Sequence, residues 1–119
     1  MTWHFSSGMP LYPQIVDTIV CAILSGEIAP GEKLPGVREL AMEAAVNPNT
    51  MQRAMAELES RGLVATQRTA GRIVTNDTEV IESERSKAAH AEVSKYLRNM
   101  ESLGYSKRQA AEFAEKEAV

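Results

Sequence analysis

Five polar side chains crowd one short stretch of this sequence: Asn47, Asn49, Thr50, Gln52 and Arg53. Such a set can read the edges of base pairs. Asn and Gln pair bidentately with adenine and Arg with guanine, while Thr offers a hydroxyl to a phosphate or a methyl to thymine. The same stretch carries the punctuation of a helix start. Asn47 is a favoured N-cap, and Pro48 suits the first helical position, where its missing N–H costs nothing. Asn47 is therefore expected mainly to cap. For Gln52 and Arg53 the blander alternative is a solvated helix face, and contact with DNA is the favoured reading.

Two further groups fit the same chemistry. Gln67, Arg68 and Arg72 lie in a stretch with no acidic residue between Glu59 and Asp77. Arginines there can meet phosphates or enter a minor groove. Arg38, upstream, is expected to add a phosphate contact, although it could equally sit in solvent beside Glu39.

These side chains must be held by regular elements. Ile15, Val16, Ile19, Val20, Ile23 and Leu24 recur at helical spacing, and Gly26 ends that helix. Pro30-Gly31 marks a turn, and Lys33-Leu34-Pro35 reads as a short extended stretch. A short helix is predicted over Val37 to Ala45, carried by Val37, Leu40, Ala41 and Ala44. A third, from Pro48 to Ser60, has Met51, Ala54, Met55 and Leu58 as its inner stripe, with Gly62 just past its end. Residues 63–67 and 71–75 favour strands, with Arg68-Thr69-Ala70 as the connecting loop of a hairpin. From Thr78 to Leu103 nothing breaks a helix, and Gly104 stops it. Ser106-Lys107-Arg108-Gln109 then spells a capping box ahead of a last helix running to about Ala118.

The order is three helices, a hairpin and two helices. The expected fold is mostly α with a small β-hairpin. Residues 1–75 would form a winged helix-turn-helix, and residues 76–119 a helical tail. A helix, a tight turn and a second helix expose the second one so that it can enter a major groove.

The 119 residues suit one core domain with an appendage. Hydrophobic residues make up 44% and charged ones 24%, the balance of an ordinary globular chain. No apolar run is long enough to span a bilayer, and Met1-Thr2-Trp3-His4-Phe5 does not read as a secretory leader. With the single cysteine Cys21, expected in the core, these features point to the cytoplasm. The net charge of −3 runs mildly against nucleic-acid binding. Residues 1–75 do not reverse it, with six Lys/Arg against seven Asp/Glu. A DNA-facing surface must therefore come from local sorting of charge.

In the tail the apolar stripe Ala89, Val93, Tyr96, Leu97, Met100 and Leu103 has only Ala110, Ala111, Phe113 and Ala114 to cover it. We expect a second copy of the chain to cover Val93, Tyr96, Leu97, Met100, Leu103 and Phe113, making a symmetric homodimer. The other arrangement has the stripe packing on its own last helix. Two helices cannot enclose a drug-sized pocket of ~300 Å3 or more. Whether a small-molecule effector exists is not legible.

Residues 10–75 resemble the DNA-binding domain of the GntR family of bacterial regulators. The likeness is carried by Pro10-Leu11-Tyr12-Pro13-Gln14-Ile15, by Ile23-Leu24-Ser25-Gly26-Glu27-Ile28-Ala29-Pro30-Gly31-Glu32-Lys33-Leu34-Pro35 and by Val37-Arg38-Glu39-Leu40-Ala41. It continues through Val46-Asn47-Pro48-Asn49-Thr50-Met51-Gln52-Arg53-Ala54 and Glu57-Leu58-Glu59-Ser60-Arg61-Gly62-Leu63-Val64. The Asn-Pro-Asn-Thr turn and the short tail resemble the YtrA-type branch. That resemblance implies a homodimer built by the C-terminal helices, and DNA contacts from Arg38, Thr50, Gln52, Arg53 and the wing. The sequence departs from the family pattern in three places. Gly36 replaces a usual Ser, Pro48 stands where Arg is frequent, and Arg68-Thr69-Ala70-Gly71 replaces a more usual Arg-Gly-Arg-Gly. Base preference is accordingly expected to rest on Asn49, Gln52 and Arg53.

His4, His90 and Cys21 are too scattered for metal ligands, so no metal and no cofactor are expected. No nucleophile–base pair, phosphate loop or paired carboxylates point to an enzyme. The leading expectation is a repressor binding a palindromic operator. A second reading is a winged-helix module that binds protein instead of DNA. The acidic total favours that reading, and the Arg-bearing hairpin opposes it.

Overall fold

The computed structural model describes residues 1–118, so Val119, the last residue of the expected tail, lies outside the described residues. Seven elements follow one another: α1 (Leu11–Leu24), α2 (Val37–Ala44), α3 (Pro48–Ser60), β1 (Val64–Gln67), β2 (Gly71–Val74), α4 (Thr78–Ser102) and α5 (Lys107–Lys116). The fold is mostly helical with one small hairpin. Two compact units result, one spanning Met1–Ser83 and the other starting at Glu84.

In the first unit, α1 buries Ile15, Val16, Ile19, Val20, Ala22 and Ile23. Cys21 departs from expectation and is exposed. At 100° per residue it shares a face with Asp17, one turn earlier, and not with the apolar stripe. α3 buries Met51, Ala54, Met55 and Leu58, the four residues its period predicts. With Leu40 and Ala41 of α2, and with Leu34, Leu63, Val64 and Val74, they build one apolar cluster. No polar or charged side chain is buried within it among the described residues. Each large side chain fully withdrawn from water, such as Leu40 or Leu58, contributes roughly 1.5–3 kcal/mol.

The turn between α2 and α3 is tighter than the sequence shows. α2 stops at Ala44, and Ala45 adopts a left-handed conformation with φ 58°. The Val46 N–H then donates to the Ala41 carbonyl (2.9 Å) and the Ala45 N–H to that of Met42 (3.2 Å). This is the double hydrogen bond that normally recruits Gly. Alanine there stores about 1–2 kcal/mol of strain. Two residues later the Asn47 Oδ1 accepts the Asn49 N–H at 2.7 Å, so α3 is capped as expected.

β1 and β2 pair antiparallel in the register Val64↔Val74 to Gln67↔Gly71, joined by Arg68-Thr69-Ala70. The extended stretch before α2 lies along β2. The Gly31 N–H donates to the Val74 carbonyl, the Val74 N–H to that of Glu32 and the Leu34 N–H to that of Arg72, each at 2.9 Å. Gly31 is strongly favoured here. Its φ is +81°, and a Cβ would stand 2.7 Å from the Asn76 Oδ1. This strap gives the two-stranded hairpin a third hydrogen-bonded neighbour, which a lone hairpin lacks in water.

The second unit contains the later part of α4 and all of α5. Gly104, at φ 93°, ends α4. Ser106 and Gln109 form the expected capping box, with reciprocal bonds of 3.2 and 2.9 Å. The Tyr96 hydroxyl donates to the Ala110 carbonyl at 2.7 Å, and the Tyr105 and Phe113 rings meet edge-on at 5.0 Å. Ala110 is the buried residue of this unit among the described ones.

Candidate nucleic-acid interface

The candidate surface is built outward from the core of the first unit. Because Met51, Ala54, Met55 and Leu58 face inward, Asn49, Gln52 and Arg53 must face outward, and all three are exposed. Thr50 is half-buried in the first turn. Asn47 is exposed, but its side-chain oxygen is occupied by the cap, which leaves its amide N–H groups for any other partner. Arg38 is exposed in the first turn of α2.

Arg53 is not a loose surface side chain. Its guanidinium carbon lies 4.1 Å from the centroid of the Tyr12 ring, at the start of α1. Tyr12 is itself half-buried against the core.

The wing presents Gln67 and Arg68 to solvent, and Arg68 makes no hydrogen bond or ion pair with the described residues. Arg72 is different. Its Nε donates to Glu59 Oε1 at 2.6 Å, and the Thr66 hydroxyl donates to the same oxygen at 2.6 Å. Those two hydrogen bonds, that from Thr66 first, hold the Glu59 carboxyl below its ordinary value, and the positive charge of Arg72 adds to them. One carboxylate thus ties both strands of the wing to the last turn of α3. The basic patch expected over Gln67, Arg68 and Arg72 is smaller than its composition implies, since one of its two charges is already partnered. Charge counting missed Glu59 because the pairing is non-local.

The tail residues separate in the same way. Val93, Leu103 and Phe113 are exposed, the last with half its surface in solvent, whereas Tyr96, Leu97 and Met100 are half-buried. Among the described residues no group of three His, Cys, Asp or Glu could hold a metal ion. None of the described helices is long and apolar enough to cross a membrane.

Comparison with known proteins agrees with this architecture. The family model for bacterial regulatory proteins of the gntR family matches residues 11–74. The chain is 36% identical over 109 residues to YhcF, an HTH-type transcriptional regulator of Bacillus subtilis, covering 92% of this chain and 90% of that one. It is 41% identical over 71 residues to the B. subtilis transcriptional repressor YtrA, covering 60% of this chain and 55% of YtrA. A GntR family regulator from Listeria monocytogenes superposes with a TM-score of 0.89 at 36% identity, over 96% of this chain and all of that one. The DNA-binding domain of AraR, solved in complex with an operator, superposes with a TM-score of 0.57 at 28% identity, over 63% of this chain and 96% of that one. The winged helix-turn-helix built from α1 to β2 and the match across its whole length show that the chain belongs to the GntR family of bacterial transcription regulators.

Proposed function

We propose that this regulator is a sequence-specific repressor that acts in the cytoplasm as a homodimer on a two-fold symmetric operator. The observation that carries the reading is the exposed row Asn49, Gln52 and Arg53 on α3, set against an inner stripe with no exposed residue. In this reading those three side chains meet base edges, Arg38, Thr50 and Arg68 meet phosphates, and Asn47 mainly caps. Gln67 lies beside Arg68 on the wing and follows it to the backbone. Arg72 contributes chiefly by keeping the wing in place. The likeness to an operator-bound domain supports operator binding, and the likeness to a repressor supports repression.

The homodimer rests on the tail. Val93, Leu103 and Phe113 leave apolar surface in water, and Tyr96, Leu97 and Met100 continue it. Two recognition helices joined in this way would meet half-sites about one helical turn apart, which makes the operator palindromic. No cofactor enters the proposal.

Fluorescence anisotropy on a duplex from upstream of the chain's own gene, against a scrambled duplex at several salt concentrations, tests it. Arg53→Ala should cost ~1–3 kcal/mol on the specific duplex and little on the scrambled one. Arg68→Ala should weaken both alike and lower the salt slope by about 1. Wild-type affinity in both variants, or equal binding of the two duplexes by the wild-type chain, would refute the proposal. The latter outcome would leave the protein-binding module as the better reading.

A further inference from the structure

We infer that Tyr12 is a specificity-determining positioning residue that holds Arg53 in the orientation needed to read a base. The inference rests on the proposed role of Arg53 and adds a residue from outside the helix-turn-helix to the reading apparatus.

The geometry is that of a guanidinium over a ring face, at 4.1 Å. An arginine stacked on an aromatic ring uses the flat face of its guanidinium, and the 4.1 Å separation allows that arrangement here. Its N–H donors lie in the plane and point outward from the edge, which is the edge that grips guanine O6 and N7 together. Stacking and base reading therefore do not compete for the same part of Arg53. They would compete if Arg53 were held by a carboxylate, as Arg72 is.

The platform beneath Arg53 is fixed. Tyr12 is half-buried against the core, in the first turn of α1. The turn is braced by Gln14, whose Nε2 donates to the Ser6 carbonyl at 3.2 Å and to that of Pro10 at 3.1 Å. Its Oε1 accepts the Ser6 N–H at 2.7 Å. Without the ring, an exposed arginine samples many rotamers and reaches the nearest phosphate as readily as a base. A phosphate contact adds affinity for every sequence and discriminates none. Tyr12 thus acts on the ratio of specific to non-specific binding, and only through Arg53.

The test uses the full chain, a duplex selected from a randomised pool, and its scrambled counterpart. Tyr12→Leu should lower the ratio of the two affinities by about two- to fivefold, the size of an exposed cation–π contact. Affinity for the scrambled duplex should be kept. Tyr12→Phe, which retains the ring face, should keep the ratio, and so should Tyr12→Trp. In an Arg53→Ala background Tyr12→Leu should change the ratio no further. An Arg53 Nε–H proton resonance that is ring-shifted in the wild type and in Tyr12→Phe, but not in Tyr12→Leu, would show the contact directly.

Equal weakening on both duplexes by Tyr12→Leu, or an undiminished effect in the Arg53→Ala background, overturns the inference. If Tyr12→Leu does not fold, a drop in the ratio for Tyr12→Trp overturns it instead. Arg53→Ala separates the two levels. If it lowers the ratio while Tyr12→Leu does not, this inference alone fails. If it leaves the ratio unchanged, the assigned role of Arg53 fails and takes this inference with it.

Discussion

The two compact units spend their apolar residues in opposite ways. The first gathers its residues into one closed cluster, with Ile15, Leu40, Met51, Met55 and Leu58 wholly withdrawn from water. The second withdraws Ala110 and leaves Val93, Leu103 and Phe113 in solvent. A closed core stabilises a domain by itself. An open stripe gains stability only when something covers it. The first unit is thus the part whose apolar residues are closed off from water, and the second is the part to which the proposed association is assigned.

Paired truncations would break or sharpen that contrast. Leu58→Ala removes a side chain with no solvent exposure and should cost 2–5 kcal/mol in urea unfolding followed by circular dichroism, at any protein concentration. Leu103→Ala removes one that is 71% exposed. It should change monomer stability by no more than about 0.5 kcal/mol while weakening self-association in sedimentation. A large, concentration-independent loss from Leu103→Ala would erase the distinction between the units.

The smallest expected effect lies within the first unit. The Glu59 carboxyl is held below its ordinary value of 4.5 by the Thr66 and Arg72 hydrogen bonds. A lowered folded-state value means that the carboxylate stabilises the wing above about pH 4.5, and that this contribution is lost as pH falls through the lower folded value. The groups are partly exposed, so the gain is a few tenths to about 1 kcal/mol. Glu59→Gln should flatten the acid limb of wing stability, read by amide hydrogen exchange in β1 and β2. An acid limb identical to wild type would remove Glu59 as the tie between α3 and the wing.

Most of the fold was legible because its signals are local. Asn47-Pro48, Gly62 and the Ser106–Gln109 box are short-range devices, and they mark helix ends within a residue of those observed. The inner stripe of α3 followed from its period alone. What escaped was non-local or contrary to propensity. Ala45 takes a positive φ that alanine disfavours, so the sequence extends α2 by one residue. The alignment of Gly31 to Leu34 with β2 and the reach of Glu59 to Arg72 join positions far apart in the chain. The Tyr12–Arg53 stack is of the same kind. In the candidate site, residue types and exposure on α3 were readable, whereas which arginine was already partnered was not.

The central claim is that two copies of α3, joined through their tails, read a symmetric sequence. Selection by the purified chain from a randomised duplex pool tests this most directly. The account predicts enrichment of a two-fold symmetric consensus with half-sites about 10–10.5 base pairs apart, lost or relaxed at a guanine position by Arg53→Ala. A pool that stays random after repeated rounds, or a consensus with no symmetry, would contradict it.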